Sequence, residues 1–156
     1  MISIIRTTSL HPDFCQLVKL LDEELWARYN DVQAQYDKHN KVDNNATVVI
    51  AYEKDQPVGC ACLKQFDSDT IEVKRMFVKP QHRGKGIAYA ILHELERWSA
   101  ALSFKKIILE TGDKQPEAIG LYKKSGYTLI ENYGPYIGMS TSVCLGKALP
   151  RPIRPS

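Results

Sequence analysis

Apolar and polar residues alternate along this chain with two periods, and each change of period marks an element. Ile2 to Thr7 is short and β-rich and predicts a first strand. His11-Pro12-Asp13 then opens a stretch in which Phe14, Leu17, Val18, Leu21 and Leu25 recur at helical spacing, an amphipathic helix. Asn30 to Asn45 is polar throughout and reads as loop and broken helix. Thr47–Tyr52 is a strand by composition. Glu53–Pro57 turns it, and Val58–Leu63 returns as a hairpin partner. A second turn at Asp67–Asp69 leads into a third strand, Thr70–Val78, which stops before Pro80 because proline cannot donate to a ladder. Ile87, Ile91, Leu95 and Trp98, with Ala88 and Leu92 beside them, form the apolar face of a helix running to about Ala101. Ile107–Leu109 is a short apolar strand. Pro116 opens another helix through Ala118, Ile119, Leu121 and Tyr122, and Gly126 closes it. Tyr127–Ile130 and Ser142–Leu145 are the last strands, and the Pro- and Arg-rich tail 150–156 is expected to fray. Hairpins mixed with strand-helix-strand crossovers predict an α+β fold, a mixed sheet flanked by helices, with residues 1–149 forming one domain.

Composition narrows the class without naming a chemistry. The 156 residues are 44% hydrophobic and 25% charged, ordinary for a globular protein. A net charge of +3 is too small to indicate a nucleic-acid partner, and one basic anion site would account for it. Cys60 and Cys62, two apart in a strand, share a face, and there is no CxxC pair. All four cysteines are expected reduced and mostly buried. The four histidines show no metal-ligand spacing, so no metal site is expected. The start has no signal-peptide pattern, and no window approaches the roughly 18 apolar residues a membrane span requires. A cytoplasmic, soluble protein without a membrane partner is the expectation.

The stretch Gln81-His82-Arg83-Gly84-Lys85-Gly86 between the third strand and the second helix carries the chemistry. A helix N-terminus presents unpaired N–H groups and the positive end of the helix dipole. Gly84 and Gly86 let an anion approach the main chain closely, while Arg83 and Lys85 add charge, so a pyrophosphate is a suitable ligand. A P-loop is excluded, because only one residue separates the glycines. A dinucleotide fingerprint is excluded, because Tyr89 stands where its third glycine belongs. A basic turn that merely caps a helix is the plain alternative.

Gln81-His82-Arg83-Gly84-Lys85-Gly86-Ile87-Ala88 resembles the Gln/Arg-x-x-Gly-x-Gly/Ala signature with which the GNAT superfamily of N-acetyltransferases binds acetyl-CoA. The preceding Glu72-Val73-Lys74-Arg75-Met76-Phe77-Val78 and the later Leu109-Glu110-Thr111-Gly112 are also similar to that family. So is Ala118-Ile119-Gly120-Leu121-Tyr122-Lys123-Lys124-Ser125-Gly126-Tyr127, close to A-x-x-L-Y-x-K-x-G-F/Y. These pieces follow in family order over roughly residues 47–131. The resemblance implies a mixed, largely antiparallel sheet of six to seven strands, with acetyl-CoA as co-substrate and no metal.

The same resemblance implies residue roles. Gln81, His82, Arg83, Gly84, Lys85, Gly86, Ile87 and Ala88 would hold the pyrophosphate, and the main chain of Met76, Phe77 and Val78 the pantetheine arm. An N–H near Phe77 would polarise the thioester carbonyl. Gln115 stands where many relatives have asparagine, and is carried over as a cofactor contact. Tyr122, also counted with the cofactor contacts, would be the general acid, since a phenol stays protonated at neutral pH. Glu72 would be the general base, on the face it shares by alternation with Val78; Glu110 and a water chain are the alternatives, and a salt bridge to Lys74 or Arg75 is the plain reading. The acceptor side would be rimmed by Glu23, Glu24, Trp26 and Tyr29 from the first helix and by Tyr133, Tyr136 and Met139. These suit a small primary amine attacking directly in a ternary complex. A peptide or protein amine, or a non-catalytic acetyl-CoA-binding regulatory module, are the other readings. The resemblance also makes a homodimer an expectation.

Overall fold

The computed structural model describes residues 1–29 and 46–151; the polar segment and the extreme tail read above lie outside that range. Its strands are β1 (Ile2–Thr8), β2 (Thr47–Glu53), β3 (Gln56–Gln65), β4 (Thr70–Val78), β5 (Lys106–Gly112), β6 (Thr128–Ile130) and β7 (Ser142–Ala148). Its helices are α1 (Pro12–Tyr29), α2 (Ile87–Ala101) and α3 (Pro116–Lys124). The strands form a seven-stranded mixed sheet in the order β1-β2-β3-β4-β5-β7-β6. β1/β2, β2/β3, β5/β7 and β6/β7 pair antiparallel, and β4/β5 pair in parallel. The chain divides into two compact units, Met1–Lys64 with Lys74–Leu95, and Gln65–Val73 with Glu96–Ser156.

In the first unit, β2 is buried on both faces: Val48, Val49, Ile50 and Ala51 have no exposed surface. Its continuous apolar run, rather than an alternation, is the pattern of a strand covered on both sides. Phe14, Leu17 and Leu21 of α1 pack with Val48, Ile50, Cys60, Cys62 and Phe77, which explains why α1 repeats its apolar residues every three to four positions. Each such fully buried side chain contributes about 1.5–3 kcal/mol. The β2–β3 turn closes on two residues, Lys54 and Asp55, both at positive φ, with Glu53 opposite Gln56. Two consecutive left-handed residues match the twist of a hairpin.

β4 departs from a regular strand at Arg75, whose φ is +58°. Such a residue marks a local irregularity in the strand. The Arg75 guanidinium is largely buried and pairs with Asp22 of α1. The Arg75 carbonyl accepts from the Cys60 thiol at 3.6 Å.

In the second unit, β7 lies between β5 and β6. With β7 along its whole length, β5 extends past the apolar Ile107–Leu109 to Gly112, pairing Glu110 with Cys144 and Gly112 with Ser142. A polar cluster of Tyr127, Glu96 and Lys147 is enclosed here. The Tyr127 hydroxyl donates to one Glu96 oxygen at 2.8 Å, and Lys147 donates to the other at 3.0 Å and to the Ser125 carbonyl at 2.9 Å. Cys60, Cys62 and Cys144 are buried and Cys15 is exposed, all four as free thiols. No helix among the described residues is long and apolar enough to cross a membrane.

Candidate active site

β4 ends at Val78, and a 3-10 turn, Pro80–His82, redirects the chain into the loop. Gly84 and Gly86 lie at φ +80° and +81°, the left-handed region that glycine enters without steric cost, and open space surrounds the position of an added Cβ at each. The first bond of α2 is donated by Ala90 to the Gly86 carbonyl, so the N–H groups just before it have no partner within the helix. The first turn of α2 carries no acidic residue. Main-chain donors, a helix dipole and bare backbone thus meet at one point, the arrangement that holds a phosphate.

The basic side chains of the loop are folded onto unit-one partners. Arg83 donates from Nε to the Val78 carbonyl at 2.8 Å and from a terminal nitrogen to Glu24 at 2.9 Å, with its guanidinium 5.7 Å from the Phe77 ring centre. His82 Nδ1 lies 3.0 Å from Glu53, and Lys85 Nζ lies 3.7 Å from the same carboxylate. The hydrogen bond from His82 and the charge of Lys85 hold the half-buried Glu53 carboxyl below its ordinary range. Glu24, read from the sequence as part of the acceptor rim, forms an ion pair with Arg83. Glu53 was read only as a turn residue; no motif marks a carboxylate that meets its partners through folding. Phe77, Val78 and Ile87 are buried, Met76, His82 and Ala88 are half-buried, and Gln81 is exposed.

In the second unit, Gln115 stands just before α3, half-buried, its N–H donated to the Gly112 carbonyl at 3.2 Å. Pro116 at the first position, Lys123 and Lys124 in the last turn and Gly126 at φ +94° mark the helix boundaries. Tyr122 is the buried residue of this helix. Burial first, and then the charge of Glu110, push its phenol well above the usual tyrosine range. Three other tyrosines are shifted upward too, and each gives its hydroxyl to a carboxylate: Tyr52 to Asp13, Tyr127 to Glu96 and Tyr133 to Glu72. The Tyr122 hydroxyl has no hydrogen-bond partner among the described residues.

Glu72 is buried, only 5% exposed, and accepts from Tyr133 at 2.7 Å. β4 pairs Glu72 with Ile108, so Glu72, Ile108 and Glu110 share one face of the ladder. Glu110 accepts from the Ser142 hydroxyl at 2.6 Å. Both carboxylates considered from the sequence therefore lie on one face of the second unit, with Tyr133 set against one of them. Arg75 pairs with Asp22. Among the described residues no group of three or more His, Cys, Asp or Glu side chains is placed to hold a metal. The Tyr29 side chain lies outside the described set.

Residues 12–127 match the acetyltransferase (GNAT) family. The chain is 30% identical over 137 residues to the IAA acetyltransferase of Azospirillum brasilense, an overlap covering 86% of this chain and 90% of that one. It is 29% identical over 87 residues to the streptothricin acetyltransferase of Escherichia coli, covering 56% of this chain and 50% of that one. A Klebsiella pneumoniae structure described as an acyl-CoA N-acyltransferase superposes with a TM-score of 0.79 at 27% identity, covering 96% of this chain and 98% of that one. With the family match spanning most of the chain and the motifs in their places on it, the chain belongs to the GNAT family and is an acetyl-CoA-dependent N-acetyltransferase.

Proposed function

We propose that the chain transfers the acetyl group of acetyl-CoA to the primary amine of a small molecule, by direct attack in a ternary complex. The observation that carries this reading is Tyr122: a buried phenol kept protonated by its surroundings, with a hydroxyl that no described residue occupies. The pyrophosphate takes the main-chain donors of Arg83 to Ala88, and the pantetheine arm takes the main chain of Met76, Phe77 and Val78. Release of Arg83 and Lys85 from Glu24 and Glu53 adds their charge to the phosphates. Gln115 is assigned to the cofactor as well.

An amine reaches the protein mostly as an ammonium ion and must lose a proton before it attacks. Glu72 takes that proton, with Glu110 as its competitor. The amine nitrogen then bonds to the thioester carbonyl carbon, and the carbon–sulfur bond breaks as the intermediate collapses. Tyr122 gives its proton to the departing thiolate, and the second amine proton restores the phenol. The products are an amide, CoA thiol and one released proton. Two carboxylates and an aromatic ring on one face suit a cationic amine, and the streptothricin acetyltransferase, by its name, acts on a small molecule.

Calorimetric titration with acetyl-CoA, followed by a thiol-release assay across an amine panel, tests this. Saturable binding and turnover with a small amine are expected. Gly84→Val is expected to lose acetyl-CoA affinity by at least tenfold while remaining folded. Its side chain would need the left-handed φ, a strain of roughly 1–2 kcal/mol, in the space the phosphate needs. Unchanged affinity would put the pyrophosphate elsewhere, and binding without turnover would make the chain a sensor of acetyl-CoA.

A further inference from the structure

Between β6 and β7 the chain makes a 3-10 turn, Gly134–Tyr136, and everything in it bears on one side chain. Tyr133 stands immediately before that turn and donates to Glu72 Oε2 at 2.7 Å. Its ring is held edge-on by two others: Phe66 at 5.3 Å and 83°, and Tyr136 at 5.5 Å and 88°. Tyr136 is 1% exposed, so it is an anchor rather than a mobile neighbour. Asn132 donates from Nδ2 to the carbonyls of Tyr136 and Met139, both at 3.1 Å, pinning the segment on either side. Gly134 lies at φ +52°, and a Cβ there would come within 3.4 Å of the Phe66 ring.

Resting on the assignment of Glu72 as base, we propose that Tyr133 is a positioning residue for it. The phenol fixes the rotation of the Glu72 carboxylate, which takes the proton of the incoming ammonium. A hydroxyl-to-carboxylate bond is charge-assisted and short, and so stronger than a neutral one. With two rings gripping Tyr133 and the strand pairing gripping Glu72, the bond sets the direction in which the carboxylate presents its remaining lone pairs. The ring packing by itself would be served equally well by phenylalanine. The hydroxyl is therefore the part of Tyr133 that bears on the reaction.

The test is Tyr133→Phe, which keeps the ring and removes only the donor. Two acceptors separate the roles: benzylamine, which arrives as an ammonium ion and needs a base, and hydroxylamine, which is uncharged at neutral pH and does not. With benzylamine the variant is expected to lose kcat by about tenfold or more, with KM for acetyl-CoA unchanged. With hydroxylamine it is expected to match the parent protein. In a Glu72→Gln background, Tyr133→Phe should cost nothing further. Equal losses with both acceptors, or no loss with benzylamine while Glu72→Gln is impaired, would overturn the positioning role and leave Glu72 as base. If Glu72→Gln itself acetylates benzylamine at the parent rate, the base assignment fails and the role of Tyr133 fails with it.

Discussion

Tyr122 and Glu72 illustrate how differently two site residues come to be where they are. Tyr122 is placed by its own helix: α3 buries it, and both burial and the Glu110 charge oppose its ionisation. Tyr122 therefore stays protonated across the neutral range, the state a proton donor needs. Tyr122→Phe is expected to lower kcat by roughly 100-fold, read by thiol release. Because the shift is upward, no loss of rate up to pH 10 should trace to ionisation of Tyr122: any alkaline limb of the profile should persist in the variant. Glu72 is placed by its partners, the β4–β5 ladder and Tyr133. Tyr122 was legible from a motif of nearby residues. The Glu72–Tyr133 bond joins residues 61 positions apart and has no local sign in the sequence.

At the scale of elements, β4 is the strand on which the reading depends, and its irregularity is supported from outside. Asp22 of α1 meets the buried Arg75 guanidinium, and the Cys60 thiol meets the Arg75 carbonyl. Beside the strand, Gly59 of β3 leaves no room: a Cβ there would lie 2.9 Å from Ile91 Cδ1, 3.0 Å from the Phe77 carbonyl oxygen and 3.2 Å from Val78 Cγ2. The second contact is main chain and cannot swing aside. Gly59→Ala is expected to cost about 1–3 kcal/mol in a denaturant titration. It should also lower kcat, because it displaces the main chain of Phe77, to which polarisation of the thioester carbonyl is assigned. A variant with parent stability would show that the strands separate without cost. Most elements were read to within a residue or two where an apolar period or a proline marked them, but β7, read as Ser142–Leu145, runs to Ala148. β5 was read short because its last residues, Glu110–Gly112, are strand by virtue of pairing with β7, not by composition.

For the whole molecule, the buried phenols make alkaline pH the vulnerable side. Tyr122, Tyr127 and Tyr133 are all shifted upward, mainly by burial, and the more exposed Tyr52 is pushed up to about 12. The unfolded chain ionises its tyrosines near pH 10 while the folded one keeps them protonated, so folding binds protons there. Stability is therefore full below about pH 10 and falls as pH rises through the folded values. The slope is at most about 1.4 kcal/mol per pH unit for each buried phenol. Denaturant midpoints between pH 8 and 11 are expected to stay level and then drop, and Tyr127→Phe should make the drop shallower. A level midpoint to pH 11 would contradict the burial of these hydroxyls. Such a property is invisible in a sequence with eight tyrosines, since only packing says which of them leave water.

The sequence by itself determined the order of elements and the glycine loop ahead of α2, because apolar period, proline, glycine and helix-end residues act over a few positions along the chain. It also carried the family, through ordered local motifs. Tertiary structure decided the rest: the insertion of β7 beside β5, the left-handed Arg75 in β4, and the pairing of Arg83 with Glu24 and of His82 and Lys85 with Glu53. The seat of Glu72 against Tyr133 belongs to the same group. Each depends on residues far apart in the chain meeting at hydrogen-bond distance, and burial, charge pairing and ladder register are set by those meetings rather than by neighbours in sequence.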